Sequence, residues 1–95
     1  MPAYAIALVS ITDAGKYQEY SKLAGPATAK YGGKFVARGV VDSVIEGKLP
    51  YTRAVVVEFP TVEAAKAFYA SPEYEEARAK RKDAADFNML IVQGT

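Results

Sequence analysis

Residues 53–81, RAVVVEFPTVEAAKAFYASPEYEEARAKR, decide how this chain folds. Ala54 to Phe59 is a run of Ala, Val and Phe interrupted only by Glu58. It is too short for a helix of that apolarity and rich in β-branched residues, so it reads as a strand. Pro60 ends the strand because it has no N–H to donate. Thr61 caps a helix whose apolar positions Val62, Ala65, Phe68 and Tyr69 recur at helical spacing, with Glu63 in the first turn where the helix dipole favours an anion. Pro72 disfavours the α conformation at Ser71, so this helix stops there. Ser71 and Pro72 also open the next helix, as N-cap and first helical residue. Glu73, Glu75 and Glu76 come early in it and Arg78, Lys80, Arg81 and Lys82 late, the order the macrodipole favours.

Working outward, Ala3 to Thr12 reads as a first strand, with Tyr4, Ile6 and Leu8 on one face and Ala5, Ala7, Val9 and Ile11 on the other. Asp13 caps a helix with an inward stripe of Tyr17, Tyr20, Ala24 and Ala27. Gly25-Pro26 is expected to break or kink it, and Tyr31-Gly32-Gly33 to end it. A second strand is expected over Lys34 to Asp42, with Phe35, Ala37, Gly39 and Val41 facing opposite to Val36, Arg38 and Val40. Ser43 to Thr52 reads as a hairpin loop or a flared tip. The fourth strand is expected over Asp86 to Gly94, with Phe87, Met89 and Ile91 on one side and Leu90 and Val92 on the other.

The order βαββααβ predicts an α+β, ferredoxin-like domain spanning residues 1–95, with helices on one face of a four-stranded antiparallel sheet. All four strands carry apolar residues on both faces, so the uncovered face needs a cover. In so short a chain the expected cover is a second copy, which makes a homodimer.

Composition narrows the chemistry. Without cysteine there are no disulfides, thiolate nucleophiles or thiolate metal sites, and the cytoplasm is the expected compartment. Without histidine there is no His-ligated haem, no zinc hydrolase site and no His-based triad. No spacing of carboxylates suggests a metal, and Gly32-Gly33 lacks the context of a nucleotide-binding loop, so no metal or cofactor is expected. Net charge is +1, from 12 basic and 11 acidic residues, which makes no electrostatic case for nucleic acid or a membrane surface. The apolar N-terminal stretch lacks the basic flank of a signal peptide, and no segment approaches the roughly 18 apolar residues of a membrane span.

YGGKFVARG at 31–39, Glu46-Gly47, RAVVVEFP at 53–60 and AAKAFYASPEY at 64–74, followed by the basic helix, resemble the domain-of-unknown-function 1330 family. The family belongs to the dimeric α+β barrel superfamily. The resemblance spans essentially the whole chain and implies that fold and its dimer. It implies no activity, since superfamily members include cofactor-independent monooxygenases, isomerases and haem enzymes.

Four residues are candidates for a ligand-binding site: Arg38, Glu58, Tyr69 and Tyr74, with Glu58 also the candidate catalytic group. Arg38 and Glu58 are charges inside apolar strands. A hairpin centred near Lys48 would set them opposite one another. Such a pair is either a cross-strand ion pair that fixes register or the polar end of a pocket, and the ion pair is the simpler reading. Tyr69 and Tyr74 flank the Ser71-Pro72 corner as core aromatics or as hydroxyl donors to a ligand. Three functions stay open: a small-molecule binder or cofactor-independent enzyme acting on an oxygenated or acidic compound, a ligand-sensing module, and a structural dimer.

Overall fold

A computed structural model describes residues 1–95. Its elements are β1 (Ala3–Ile11), α1 (Ala14–Lys30), β2 (Lys34–Val40), β3 (Arg53–Phe59), α2 (Val62–Ala70), α3 (Pro72–Lys80) and β4 (Ala85–Gln93). The strands form one antiparallel sheet in the order β2-β3-β1-β4, the ferredoxin-like arrangement expected from the element order. No helix is long and apolar enough to cross a membrane.

The caps lie where the sequence puts them. Asp13 Oδ1 accepts from the Lys16 amide at 3.1 Å, and Thr61 Oγ1 accepts from the Ala64 amide at 3.0 Å. Ser71 works in two directions. Its hydroxyl donates to the Phe68 carbonyl at 2.7 Å, closing α2, and accepts from the Tyr74 amide at 3.1 Å, opening α3. Glu73 then ties α3 to the end of α1 by an ion pair with Lys30 and by accepting from the Tyr31 hydroxyl at 3.1 Å. Lys30 draws the Glu73 carboxyl below its ordinary range.

Three expectations are corrected. First, α1 does not break at Gly25-Pro26 but continues through Pro26 to Lys30. Gly25 has no Cβ to clash with the proline ring, so the usual restriction on the residue before proline is relaxed there. One turn later Thr28 Oγ1 donates to the Ala24 carbonyl at 2.7 Å, across the turn that holds the proline. Second, the β2–β3 hairpin is centred between Glu46 and Gly47, as the pairing of Val40 with Arg53 requires, and not near Lys48. Gly47 supplies the left-handed residue there, at φ 87°. Third, β2 does not alternate strictly. A register shift between Phe35 and Ala37 makes Val36 an extra residue, a β-bulge. Phe35 therefore pairs with Val57 and Arg38 with Val55, which puts both on the helix-covered face.

That face carries Ala3, Ala5, Ala7 and Val9 of β1, all buried, beside Val57 and Phe59 of β3. Over it, α2 approaches the sheet and α3, whereas α1 packs mainly on α3 and keeps its backbone away from the strands. Tyr17, Tyr20, Phe68 and Tyr74 fill much of the layer between. The other face has no helix. Ile6 lies in register with Val56 and Leu90 there, and Tyr4 with Glu58 and Val92.

Replacing Ser71 by Ala removes both bonds at a buried corner and leaves the Tyr74 amide without its acceptor. A loss of about 1–2 kcal/mol in unfolding free energy, read by urea titration, is expected.

Candidate functional site

Small side chains on the central strands leave a cleft between the sheet and α1. Its floor is Ala5 and Ala7 of β1 with Val55 and Val57 of β3, and its roof includes Tyr17, Tyr20 and Thr28 of α1. Phe68 and Tyr74 line it from α2 and α3, Phe87 and Met89 from β4. The cleft encloses ≈ 620 Å³ of space free of atoms, open mouth included, of which the centre of a water molecule can reach ≈ 70 Å³. At roughly 10–15 Å³ per water, that is room for a few waters or one small molecule.

Its charged lining is entirely cationic: Arg38 from β2 and Arg53 from β3, with no Asp or Glu among the lining residues. Neither guanidinium has a carboxylate within ion-pair distance, since the chain's two ion pairs are Lys22–Glu19 and Lys30–Glu73. Arg38 sits against the Phe35 ring at 4.5 Å, and the Arg53 Nε is buried without a hydrogen-bond partner. Cations so placed attract an anion into an otherwise apolar cleft.

The hydroxyls of Tyr20 and Tyr74 meet at 2.7 Å in the buried lining. Burial, and then the neighbouring Tyr74, push the Tyr20 phenol well above its ordinary range. Tyr17 is also raised by burial, against the opposing pull of Arg53. Arg81 covers the outside of this cluster, its guanidinium 3.7 Å from the centre of the Phe87 ring and 5.2 Å from that of Tyr20. No group of three or more acidic side chains is arranged to hold a metal ion.

The four sequence candidates fall in three places. Arg38 and Tyr74 both line the cleft. Glu58 lies on the helix-free face, where its Oε1 accepts from the Tyr4 hydroxyl at 3.1 Å. That contact raises the Tyr4 phenol. The expected opposition of Arg38 and Glu58 is corrected: Arg38 pairs with Val55, and Glu58 pairs with Lys34 and Tyr4. The hairpin centre alone separates them to opposite sides of the sheet, since the bulge lies beyond Arg38 from the turn. Tyr69 is half-exposed on the outside of α2, its hydroxyl 3.5 Å from Arg78 Nη1 and its ring beneath that guanidinium at 4.4 Å. Sequence reasoning missed Arg53 as a site residue and took Tyr20 for core alone. Alternation along β3 was the available signal for Arg53, since it shares a face with Val55 and Val57.

Residues 2–95 match the family described as domain of unknown function DUF1330. The chain belongs to this family. Solved structures resemble this DUF1330 chain over nearly its whole length. A protein of unknown function from Rhodopseudomonas palustris is 24% identical with a TM-score of 0.79, over 99% of this chain and 82% of that one. A dimeric ferredoxin-like protein of unknown function from Jannaschia sp. CCS1 is 12% identical with a TM-score of 0.78, over 99% of this chain and 100% of that one. SnoaB, a cofactor-independent oxygenase from Streptomyces nogalater, is 8% identical with a TM-score of 0.71, over 99% of this chain and 93% of that one. At these identities the likeness is one of fold. No curated protein matches the sequence.

The raised Tyr20 phenol has a consequence for stability. Its folded pKa lies above the unfolded value of 10.0, so its contribution is complete below that pH and is lost as pH rises. Unfolding free energy should therefore fall above pH 10, and Tyr20→Phe should flatten that fall by about 1.4 kcal/mol per pH unit, one proton's worth. Urea titrations between neutral and strongly alkaline pH check it.

Proposed function

We propose that this DUF1330 protein is a cytoplasmic homodimer that binds a small oxygenated or acidic organic molecule in the cleft between its sheet and helices. The observation that carries the reading is the pair of unpaired guanidiniums, Arg38 and Arg53, lining an apolar cleft that contains no carboxylate. An arginine fork suits a carboxylate in a way a lone ammonium does not, because it can donate two parallel hydrogen bonds. Tyr74 joins the ligand-binding set with Arg38. Glu58 and Tyr69 contact other surfaces, and we assign Glu58 to the dimer face through its bond with Tyr4.

Support for the dimer is the helix-free face. Ile6, Val56 and Leu90 run across it in register, and Leu90 and Val92 are 44% and 43% exposed in the isolated chain. Each aliphatic side chain covered there contributes about 1.5–3 kcal/mol. Proteins of this fold from Jannaschia and Thermobifida fusca are described as dimeric. A cysteine-free chain also suits a reducing cytoplasm. The similarity of fold to a cofactor-independent oxygenase keeps catalysis as a second reading, tested by turnover of a bound compound without added cofactor.

A thermal-shift screen of small carboxylates and phenols is the direct test, since specific binding raises the melting temperature by mass action. Carboxylates should give the hits. The Arg38→Met, Arg53→Met double variant should bind them about 10-fold or more weakly, the size of a lost charge-assisted hydrogen bond. Undiminished carboxylate affinity in that variant would remove the cleft as an anion site.

In sedimentation equilibrium the wild type should be a dimer at micromolar concentration and Leu90→Glu a monomer. A stable wild-type monomer would end the dimer assignment.

A further inference from the structure

Two phenols that share one hydrogen bond leave one O–H over. Tyr20 and Tyr74 are 7% and 0% exposed, and the only side-chain hydrogen bond of either is the one between them. Each hydroxyl has one proton to donate. Whichever donates within the pair, the other's proton has no acceptor in the protein. Leaving a buried donor unmet costs about 1–3 kcal/mol, so a residual donor of this kind calls for a partner. Both rings border the cleft, which supplies the space for one.

The pair is held firmly. The Tyr20 ring stands edge-on to Tyr74 at 6.0 Å and to Phe87 at 5.8 Å, and the Tyr74 ring lies 4.3 Å from that of Phe68. Its two members come from α1 and α3, whereas the arginines come from β2 and β3. Ala5, Ala7 and Val57 add apolar wall to the same cleft. The lining thus combines cations with neutral hydroxyls, Tyr17, Ser21 and Thr28 lying in it beside the Tyr20–Tyr74 pair.

We propose that the Tyr20–Tyr74 pair is a hydrogen-bond-donating subsite, and that the ligand is an anion with two polar ends, a carboxylate for Arg38 and Arg53 and a carbonyl or similar oxygen acceptor for the phenols. This rests on the anion-binding reading of the cleft and specifies its ligand as a keto acid or a chemically equivalent oxo-carboxylate. Burial keeps the Tyr20 phenol protonated at neutral pH, so the pair acts as a donor and not as a base.

The test compares levulinate and meta- and para-acetylbenzoate, each with the isostere in which a methylene group replaces the ketone oxygen, by calorimetric titration of the wild-type protein. At least one keto acid should bind about 10-fold more tightly than its isostere. Tyr20→Phe and Tyr74→Phe singly each leave one free O–H and should retain part of that preference, while the double variant should lose it. A crystal structure of the wild-type complex, which needs no variant to fold, should place the ketone oxygen within hydrogen-bond distance of Tyr20 or Tyr74 Oη. Equal binding of keto acid and isostere, a preference that survives the double variant, or a water on the phenols with the ketone elsewhere would overturn the subsite and leave anion binding intact. If none of these carboxylates binds, both readings fall.

Discussion

The molecule depends on the smallness of the side chains that β1 turns toward its helices. Ala3, Ala5 and Ala7 lie on a central strand, where larger aliphatic side chains would themselves fill the space beneath the helices. Instead, α1 stays off the sheet and leans on α3, and the gap is bridged by aromatic rings long enough to span it. Between those rings and the small side chains of β1 some space stays unfilled. The cleft is what remains. Its existence therefore follows from the packing of the core and needs no separate lid or inserted loop.

Electrostatics then give that space a sign. Most of the chain's charges are spread over exposed surfaces with both signs near one another. The cleft differs, because the two guanidiniums that reach it come from neighbouring strands and meet no carboxylate. A low-dielectric wall of Ala, Val and Phe strengthens their field inside the cleft. The tyrosines contribute in the opposite manner. Burial holds Tyr17 and Tyr20 as neutral phenols, so they add hydrogen-bonding capacity without cancelling the arginines. On the other side of the sheet Glu58 meets Tyr4. One sheet thus carries a cationic, partly enclosed face and a helix-free face on which Glu58 meets Tyr4.

Much of this was legible in the linear chain. Pro60-Thr61 and Ser71-Pro72 mark a strand end, a helix start and a helix–helix corner by local chemistry alone, and the structure contains all three. The inward stripe Tyr17, Tyr20, Ala24 and Ala27 is buried as its spacing requires. Gly25-Pro26 is accommodated in the helix because the preceding residue has no Cβ to clash with the proline ring, although Pro26 still lacks an N–H for the helix ladder. Phe35, expected on the face opposite to Arg38, shares its face instead, since strict alternation cannot register a single extra residue at Val36. Glu58 is not opposite Arg38 because the hairpin centre lies earlier in the loop than Lys48, and an odd shift in pairing sets the two on opposite faces.

Caps, strand ends, helix faces and element order are local properties, fixed by hydrogen-bond supply, backbone sterics and the two periodicities of strand and helix. By itself the sequence determined those, and with them the fold class and an apolar face left without helices. Register across a hairpin, the bulge, and how far a helix stands from a sheet depend on partners distant in the chain. Only the tertiary structure could bring Arg53 beside Arg38, set the Tyr20 hydroxyl against that of Tyr74 across 54 residues, and carry Glu58 to the opposite side. A side chain's neighbours across a sheet change with every one-residue shift in pairing. The site was for that reason the part that its own residues, read in order, could not assemble.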